Sequence, residues 1–329
     1  MNTNKIQKKK IIMIVSHGHS GSTLVDKVLG NHRDSFSTGE ILHFSRLSRS
    51  KEVYCGCSEL YSNCHFWQNI CEEFSTELDI KKSEIKTTAN TYINLINRKT
   101  LLKDLINVLA NILSRGRFLR KKDKNALRFT DQLFKIISSQ TSCNILIDSS
   151  KRIDRALFFK YSYANYYDVK ILHLVRDGRS VLGSFHRKHI KIELNNNNEN
   201  ENEQKTILKE KKLPAAFRII LSWTLLNIYI SFLSRLFPST DRLTISYENF
   251  TANPDQVCKE IMDEFEIPFD PKMTDLRDSI NHMVGGHAAR INARTIKPSE
   301  PTWQKSVPKK TIKQFQVYAG WLNRIYGYM

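Results

Sequence analysis

The 329-residue chain lacks an uninterrupted apolar run of the roughly 20 residues that a bilayer span requires. Its longest apolar stretch, Leu213 to Phe237, is interrupted by Arg218, Asn227 and Arg235, which predicts a buried helix and no transmembrane segment. A secretory leader is not expected either, because Met1 to Lys10 is polar and the apolar run after it is too short for an h-region with a cleavage site. The six cysteines, Cys55, Cys57, Cys64, Cys71, Cys143 and Cys258, are therefore expected as reduced thiols in a cytoplasmic protein. Four of them fall in one short segment. However, Tyr54 to Trp67 (YCGCSELYSNCHFW) has no paired Cys-x-x-Cys knuckles, and no metal site is expected from that spacing. Acidic residues are scarce: 33 Asp+Glu against 51 Lys+Arg leave a net charge of +18, which suits polyanionic ligands. No dedicated nucleic-acid-binding motif accompanies the charge, so no nucleic-acid partner is expected.

At this length, with 40% hydrophobic residues, the chain can bury the core of one domain spanning 1–329. Ile11 to Val15 reads as a short buried strand. A Ser/Gly-rich turn from Ser16 to Thr23 leads into Leu24-Val25 and Val28-Leu29, apolar positions at helical spacing. A strand, a tight loop and a helix amino terminus make an anion site, because unpaired backbone N–H groups meet the positive end of the helix dipole. Gly21 permits close backbone approach, and Ser22 and Thr23 add hydroxyls. The ATP or GTP P-loop needs Gly-Lys-Ser/Thr at this point, but Gly21 is followed by Ser22. The missing lysine argues against a nucleoside-phosphate kinase, one alternative reading; a non-catalytic polyanion or nucleic-acid binder is another.

Three further strands end in polar side chains. Asn144 to Lys151 (NILIDSSK) places Lys151 at a carboxyl end, where open α/β sheets bind ligands. Val169 to Val175 ends at Arg176-Asp177, with Ser184 eight residues after the arginine on the following helix. Arg176 offers a fork of donors matched to phosphate, and Ser184 and Lys188 follow within the next turns. Arg242 to Phe250 (RLTISYENF) is the fourth strand and carries Tyr247. Strands alternating with helices imply a parallel sheet covered on both faces, an α/β fold. Glu72 to Thr141 has no proline and a single glycine. Leu101, Leu102, Leu105, Ile106, Leu109, Ile112 and Leu113 give it a helical stripe, so 72–141 is a helical elaboration. Arg115 to Lys124 reads as a solvated charge run. Asn-rich 191–212 is expected to be an exposed, mobile insertion, and helices are expected over Asn253 to Phe265 and Lys309 to Tyr328.

His19-Ser20-Gly21-Ser22-Thr23-Leu24 resembles the 5′-phosphosulfate loop of sulfotransferases that use 3′-phosphoadenosine 5′-phosphosulfate (PAPS). The Asp-Ser-Ser-Lys run, the Arg176 to Ser184 spacing, and Tyr247-Glu248-Asn249-Phe250 follow in that family's order. The resemblance implies a P-loop-like sulfotransferase fold and roles for individual residues. Ser20, Gly21, Ser22, Thr23 and Leu24 would hold the phosphosulfate, and Arg176 and Ser184 the 3′-phosphate. Tyr247 would approach the adenosine. Arg290, in a looser match to a Gly-x-x-x-Arg loop, would close over the 3′-phosphate. Lys151 would meet the transferring group, and Glu40, of Gly39-Glu40, would take the acceptor's proton, its pKa raised by partial burial; His43 and Asp148 are reserves. His19 stands where a basic residue is usual, which implies pH-dependent phosphosulfate affinity. Cys55, Cys57 and Cys64 resemble a bacterial Cys-x-Cys and Cys-x-Phe-Trp signature that would pack beside the acceptor pocket. The acceptor, a glycan, lipid or small metabolite, is not specified by these motifs, nor is the oligomeric state.

Overall fold

The computed structural model describes residues 8–48, 54–81, 84–85, 121–195, 201–285 and 293–329. Elements are numbered here over those residues. Five strands, β1 (Lys9–Ser16), β2 (Ser35–Gly39), β3 (Ile145–Asp148), β4 (Tyr167–Val175) and β5 (Arg242–Ser246), form one sheet in the order β2-β3-β1-β4-β5. Every pairing is parallel, with Met13 beside Asp148 and Ser16 beside Leu174. All the strands therefore end on one edge of the sheet.

The helices are α1 (Ser22–Gly30), α2 (His65–Glu77), α3 (Lys121–Thr141), α4 (Ile153–Ser162), α5 (Gly178–Asn195), α6 (Glu201–Ser234), α7 (Tyr247–Ala252), α8 (Pro254–Glu264), α9 (Trp303–Ser306) and α10 (Lys309–Ile325). Alternate β1 residues divide the core, as the pleat requires. Ile11, Met13 and Val15 pack with Trp67, Phe134 and Phe159 of α2, α3 and α4. Ile12 and Ile14 pack with Leu24, Val28 and Phe250. A third cluster, including Val181, Trp223 and Phe315, joins α5, α6 and α10. Pro254 opens α8 at its first turn, where a missing N–H costs nothing.

Three expectations change. The sheet has a fifth strand, β2, whose SFSTG sequence carries no apolar run. It is an edge strand anchored partly by polar side chains: Thr38 Oγ1 donates to the Ile147 carbonyl at 2.8 Å and Ser37 Oγ to Asp26 at 2.6 Å. The apolar 213–237 stretch is helical through Ser234, but it is not buried all round. Ile220, Trp223, Asn227 and Ile230 face the core, whereas Phe217, Leu221, Leu225, Ile228 and Phe232 are exposed. By length and composition Ala216–Ser234 could cross a membrane, and only 33% of its window is buried; the interrupting Asn227 is itself inside, bonded to His173 at 3.1 Å. The Asn-rich insertion is helical where described, since 191–195 continue α5 and 201–212 belong to α6. The Leu101 to Leu113 stripe and most of the Arg115 to Lys124 run lie outside the described residues.

Two buried carboxylates tie the carboxyl edge to the core. Asp148, at the end of β3, accepts from Arg155 Nη2 at 2.8 Å and Nε at 3.2 Å, while Arg155 Nη1 reaches Thr130 at 3.2 Å. Asp26, on α1, accepts from Ser37 of β2 and from Ser149 just after β3. One carboxyl group thus clasps the helix behind the opening loop to two strand ends. Burial raises its pKa from 3.8 to about 7, with the Asp148 and Glu40 charges adding to the shift against its hydroxyl bonds.

Replacing Arg155 with alanine strands a buried Asp148 charge, and chemical denaturation is expected to show a loss of about 3–5 kcal/mol; a loss under about 1 kcal/mol contradicts that pairing. For Asp26, the folded protein keeps a proton that the unfolded chain releases near pH 3.8. Its contribution is intact below about pH 4 and is lost as pH rises toward about 7. Asp26→Asn removes this component, so the melting temperature of the variant minus that of wild type is expected to rise from pH 4 to pH 7 as wild type alone loses stability; a constant difference contradicts the assignment.

Candidate active site

Each strand delivers a polar group to the carboxyl edge. In spatial order these are Glu40 after β2, Lys151 after β3, the Ser16 to Thr23 loop after β1, Arg176 after β4 and Tyr247 after β5. With strands about 4.8 Å apart, Glu40 and Arg176 are separated by three strand steps, about 14 Å. A cavity lined by Lys8, Lys10, Lys160, Ala164, Tyr167 and Asp168 opens at the amino ends of β1 and β4. That is the opposite edge from the one where open α/β sheets bind ligands, so the candidate site is built at the carboxyl edge.

The loop is held open by backbone conformation. His19 has φ +63° and Gly21, the N-cap of α1, φ +91°. A Cβ on Gly21 would stand 2.1 Å from the Tyr247 ring, so only glycine fits between the loop and that ring. Gly21 supplies no capping side chain, and the first turn of α1 has no acidic residue. The amino end of α1 thus carries no negative side chain in its first turn, a setting that favours an anion. Ser20, Ser22 and Thr23 are buried around it. Leu24 is core, and its N–H bonds the Gly21 carbonyl at 3.0 Å, so its contribution is to the helix turn.

Arg176 closes the other side. Its Nη1 donates to the His19 carbonyl at 3.0 Å, and its guanidinium lies over the Tyr247 ring at 4.8 Å. Nε stands 3.8 Å from Glu248 Oε1, and Nη2 donates to Ser299 Oγ at 3.5 Å. The loop and the arginine are therefore neighbours, as one ligand gripped by both requires. Tyr247, 1% exposed, lies beneath both and is placed to support them. Ser184 is half-buried on α5 and donates to the Ser180 carbonyl at 2.9 Å. The side chain of Lys188, and all of Arg290, lie outside the described residues. The tail near Arg290 nevertheless crosses this edge: Ser299 meets Arg176, Thr302 Oγ1 accepts from Arg187 at 2.9 Å, and Arg179 stacks on Trp303 at 4.3 Å. The His19 ring meets Phe185 edge-on, centroids 4.2 Å apart.

At the far end of the row, Lys151 Nζ donates to Glu40 Oε1, and His43 Nε2 stands 3.4 Å from Glu40 Oε2. Lys151 has φ +65°, a costly conformation for a non-glycine residue that recurs at functional sites. Here the expected pKa shift is reversed. Burial of Glu40 does push its pKa up, but His43 and Lys151 together outweigh it and hold the carboxylate at about 2. Asp148 is committed to Arg155 and to the Ser150 N–H at 2.8 Å, which removes it as a reserve base.

Two features escaped the sequence reading. Asn281 to Gly285 forms a ledge beside Glu40: Val284 pairs with Gly39, and the Glu40 N–H donates to the Val284 carbonyl at 2.6 Å. Tyr61 hydroxyl donates to the Met283 carbonyl. The same ledge brings His282 to Cys55, Cys57 and Cys64, 218 residues beyond Cys64. No local spacing announces such a contact. Burial pushes the Cys55 and Cys64 thiols up and the His282 imidazole down.

No curated protein sequence matches the chain. Among solved structures, sulfotransferase STF9 from Mycobacterium avium aligns with a TM-score of 0.52 and 8% identity, over 98% of this chain and 78% of that one. The sulfotransferase domain of the Synechococcus PCC 7002 olefin synthase aligns at 0.49 and 18%, over 95% and 96% of the two chains. The sulfotransferase domain from the curacin biosynthetic pathway aligns at 0.49 and 19%, over 94% and 97%. At these identities the STF9 likeness speaks for the fold alone. The sequence profile described as "Sulfotransferase family" matches residues 12–271, a span that contains the loop, Glu40, Lys151, Arg176, Ser184 and Tyr247. The chain belongs to the sulfotransferase family, α/β proteins built on a parallel sheet.

Proposed function

We propose that this protein transfers the sulfuryl group of PAPS to a hydroxyl or amine of a small-molecule, lipid or glycan acceptor. The observation that carries the reading is the ordered row of Glu40, Lys151, loop and Arg176 along one sheet edge, with Arg176 bonded to the loop itself. The residues fit a nucleotide with two anionic ends: a helix amino end with no acidic residue in its first turn stands beside a guanidinium already seated on an aromatic ring. PAPS supplies the activated sulfuryl group and leaves as adenosine 3′,5′-bisphosphate.

In this reading Ser20, Gly21, Ser22 and Thr23 bind the 5′-phosphosulfate through backbone and hydroxyl donors, with Leu24 completing the helix turn. Arg176 and Ser184 bind the 3′-phosphate, and Arg290 is assigned to the covering tail. Tyr247 acts as a positioning residue under Gly21 and Arg176. Lys151 stabilises the charge that develops as the bond to the 5′-phosphate breaks, and Glu40 accepts the acceptor's proton.

The Lys151 to Glu40 ion pair gives the two roles an order. While paired, Glu40 is a weak base because the His43 hydrogen bond and the Lys151 charge and hydrogen bond together outweigh burial and hold its pKa at about 2. When Lys151 turns to the donor's anionic oxygens, Glu40 loses that partner, and its buried setting raises its proton affinity. Base strength thus increases when the donor draws Lys151 away, with His43 still beside the carboxylate. The enzyme is assigned to the cytoplasm, where its thiols remain reduced.

With labelled PAPS and a panel of hydroxyl and amine acceptors, wild-type protein is expected to label at least one. Glu40→Gln is expected to bind adenosine 3′,5′-bisphosphate as tightly as wild type while transferring about 10²–10⁴ times more slowly. Undiminished turnover in that variant moves the base to His43, and failure of the wild type both to bind the bisphosphate and to label any acceptor overturns the reading.

A further inference from the structure

The proposed transfer assigns no role to three cysteines and His282, yet the fold gathers them with defined geometry. Cys57 Sγ and Cys64 Sγ are 3.7 Å apart, as are Cys64 Sγ and Cys55 Sγ. Nδ1 of His282 stands 3.5 Å from Cys55 Sγ and 3.3 Å from Cys64 Sγ. All four ligand atoms lie within 4.8 Å of one another. A tetrahedral zinc ion with Zn–S of about 2.3 Å and Zn–N of about 2.0–2.1 Å has S···S edges of about 3.8 Å and S···N edges of about 3.5 Å. The four measured separations match those edges to within a few tenths of an ångström.

The surroundings are shaped for this convergence. A Cβ on Gly56 would meet Asn281 Oδ1 at 2.0 Å and the Asn281 carbonyl at 2.5 Å, so the Cys55 to Cys57 turn can approach His282 only because residue 56 is glycine. The turn itself closes through Ser58 N–H to the Cys55 carbonyl at 3.0 Å and Cys55 N–H to the Glu59 carbonyl at 2.8 Å. The His282 ring is stacked on Phe66 at 4.7 Å, 17° from parallel, which fixes the plane in which its Nδ1 meets the sulfurs. A disulfide would use two sulfurs and leave a third thiol and the aimed imidazole without a purpose.

We propose that Cys55, Cys57, Cys64 and His282 bind one zinc ion as a closed Cys3His site. Binding deprotonates the three thiols, releasing their protons to solvent, and the neutral imidazole donates through Nδ1. Four protein ligands leave no open coordination position, so the ion is structural. It fastens the segment before α2 to the ledge that carries Val284, and through Val284 it holds the backbone of Gly39 and Glu40. The site is thereby a positioning device for the edge of the sheet where Glu40 stands. Sequence spacing alone missed it because the fourth ligand lies beyond the sheet's last helical unit.

The test is metal content, which requires neither PAPS nor an acceptor and so stands apart from the activity reading. Full-length protein purified under reducing conditions, without a chelating tag, is expected to carry one equivalent of zinc by elemental mass spectrometry. Exchange with cobalt(II) is expected to produce the intense visible bands and thiolate charge-transfer absorption of a tetrahedral thiolate site. Cys57→Ser is expected to lose the zinc, whereas His282→Cys is expected to retain it with an altered cobalt spectrum. Because the serine variant can fail to fold, the cobalt spectrum of the unaltered chain stands as the independent readout. Substoichiometric zinc with no tetrahedral cobalt spectrum overturns the proposal, as does a Cys57 to Cys64 disulfide found by thiol titration in freshly reduced and re-purified protein, or full zinc retention in Cys57→Ser.

Discussion

Arg176 bonded to the carbonyl of His19, with its guanidinium over the Tyr247 ring, is the contact on which the rest of the carboxyl edge depends. It joins the end of β4 to the loop after β1, and through Tyr247 it involves the end of β5. The loop can take part only because Gly21 has no side chain and adopts a left-handed conformation against that ring. A parallel sheet makes the junction possible: its strands all finish on one side, so residues distant in sequence become neighbours in strand order. A guanidinium held this way is preorganised, and little rotamer freedom remains to be lost when an anion binds.

The other half of the edge is arranged around opposing demands on Glu40. Burial alone would raise its pKa, but Lys151 and His43 hold it ionised. Such pairing keeps the carboxylate ionised within the fold. The ledge from Asn281 to Gly285 fixes the backbone of Glu40, and His282 of the cysteine and histidine cluster lies on the same ledge. Asp26 contributes from below, joining the helix after the loop to the ends of β2 and β3. Chemistry, backbone placement and core packing therefore meet within a few residues of Gly39.

The sequence exposed the apolar strands clearly: Ile11 to Val15, Ile145 to Asp148 and Val169 to Val175 are short apolar runs ending in polar residues, and each became a buried strand. It concealed β2, because an edge strand held by Ser37 and Thr38 needs few apolar residues. The outward apolar face of α6 was equally hidden, since composition counts Phe217 and Trp223 alike although only Trp223 is inside. Positions that depend on local chain order, such as Gly21 in the turn after β1 and Arg176 at the end of β4, were legible. Those that depend on tertiary approach were not: His282 beside Cys64, Asp148 locked by Arg155, and Lys151, which with His43 reverses the Glu40 shift, all depend on contacts between distant parts of the chain.

The central claim is that one nucleotide is gripped at two ends by groups on adjacent strands. Calorimetric titration of wild type and Arg176→Ala with adenosine 3′,5′-bisphosphate and with adenosine 5′-phosphate isolates the arginine's coupling to the 3′-phosphate. The account predicts that the substitution weakens the bisphosphate by about 10-fold or more beyond its effect on the 5′-phosphate, as a charge-assisted hydrogen bond of about 1.5–3 kcal/mol implies. Equal losses for the two ligands, or none for either, would contradict it.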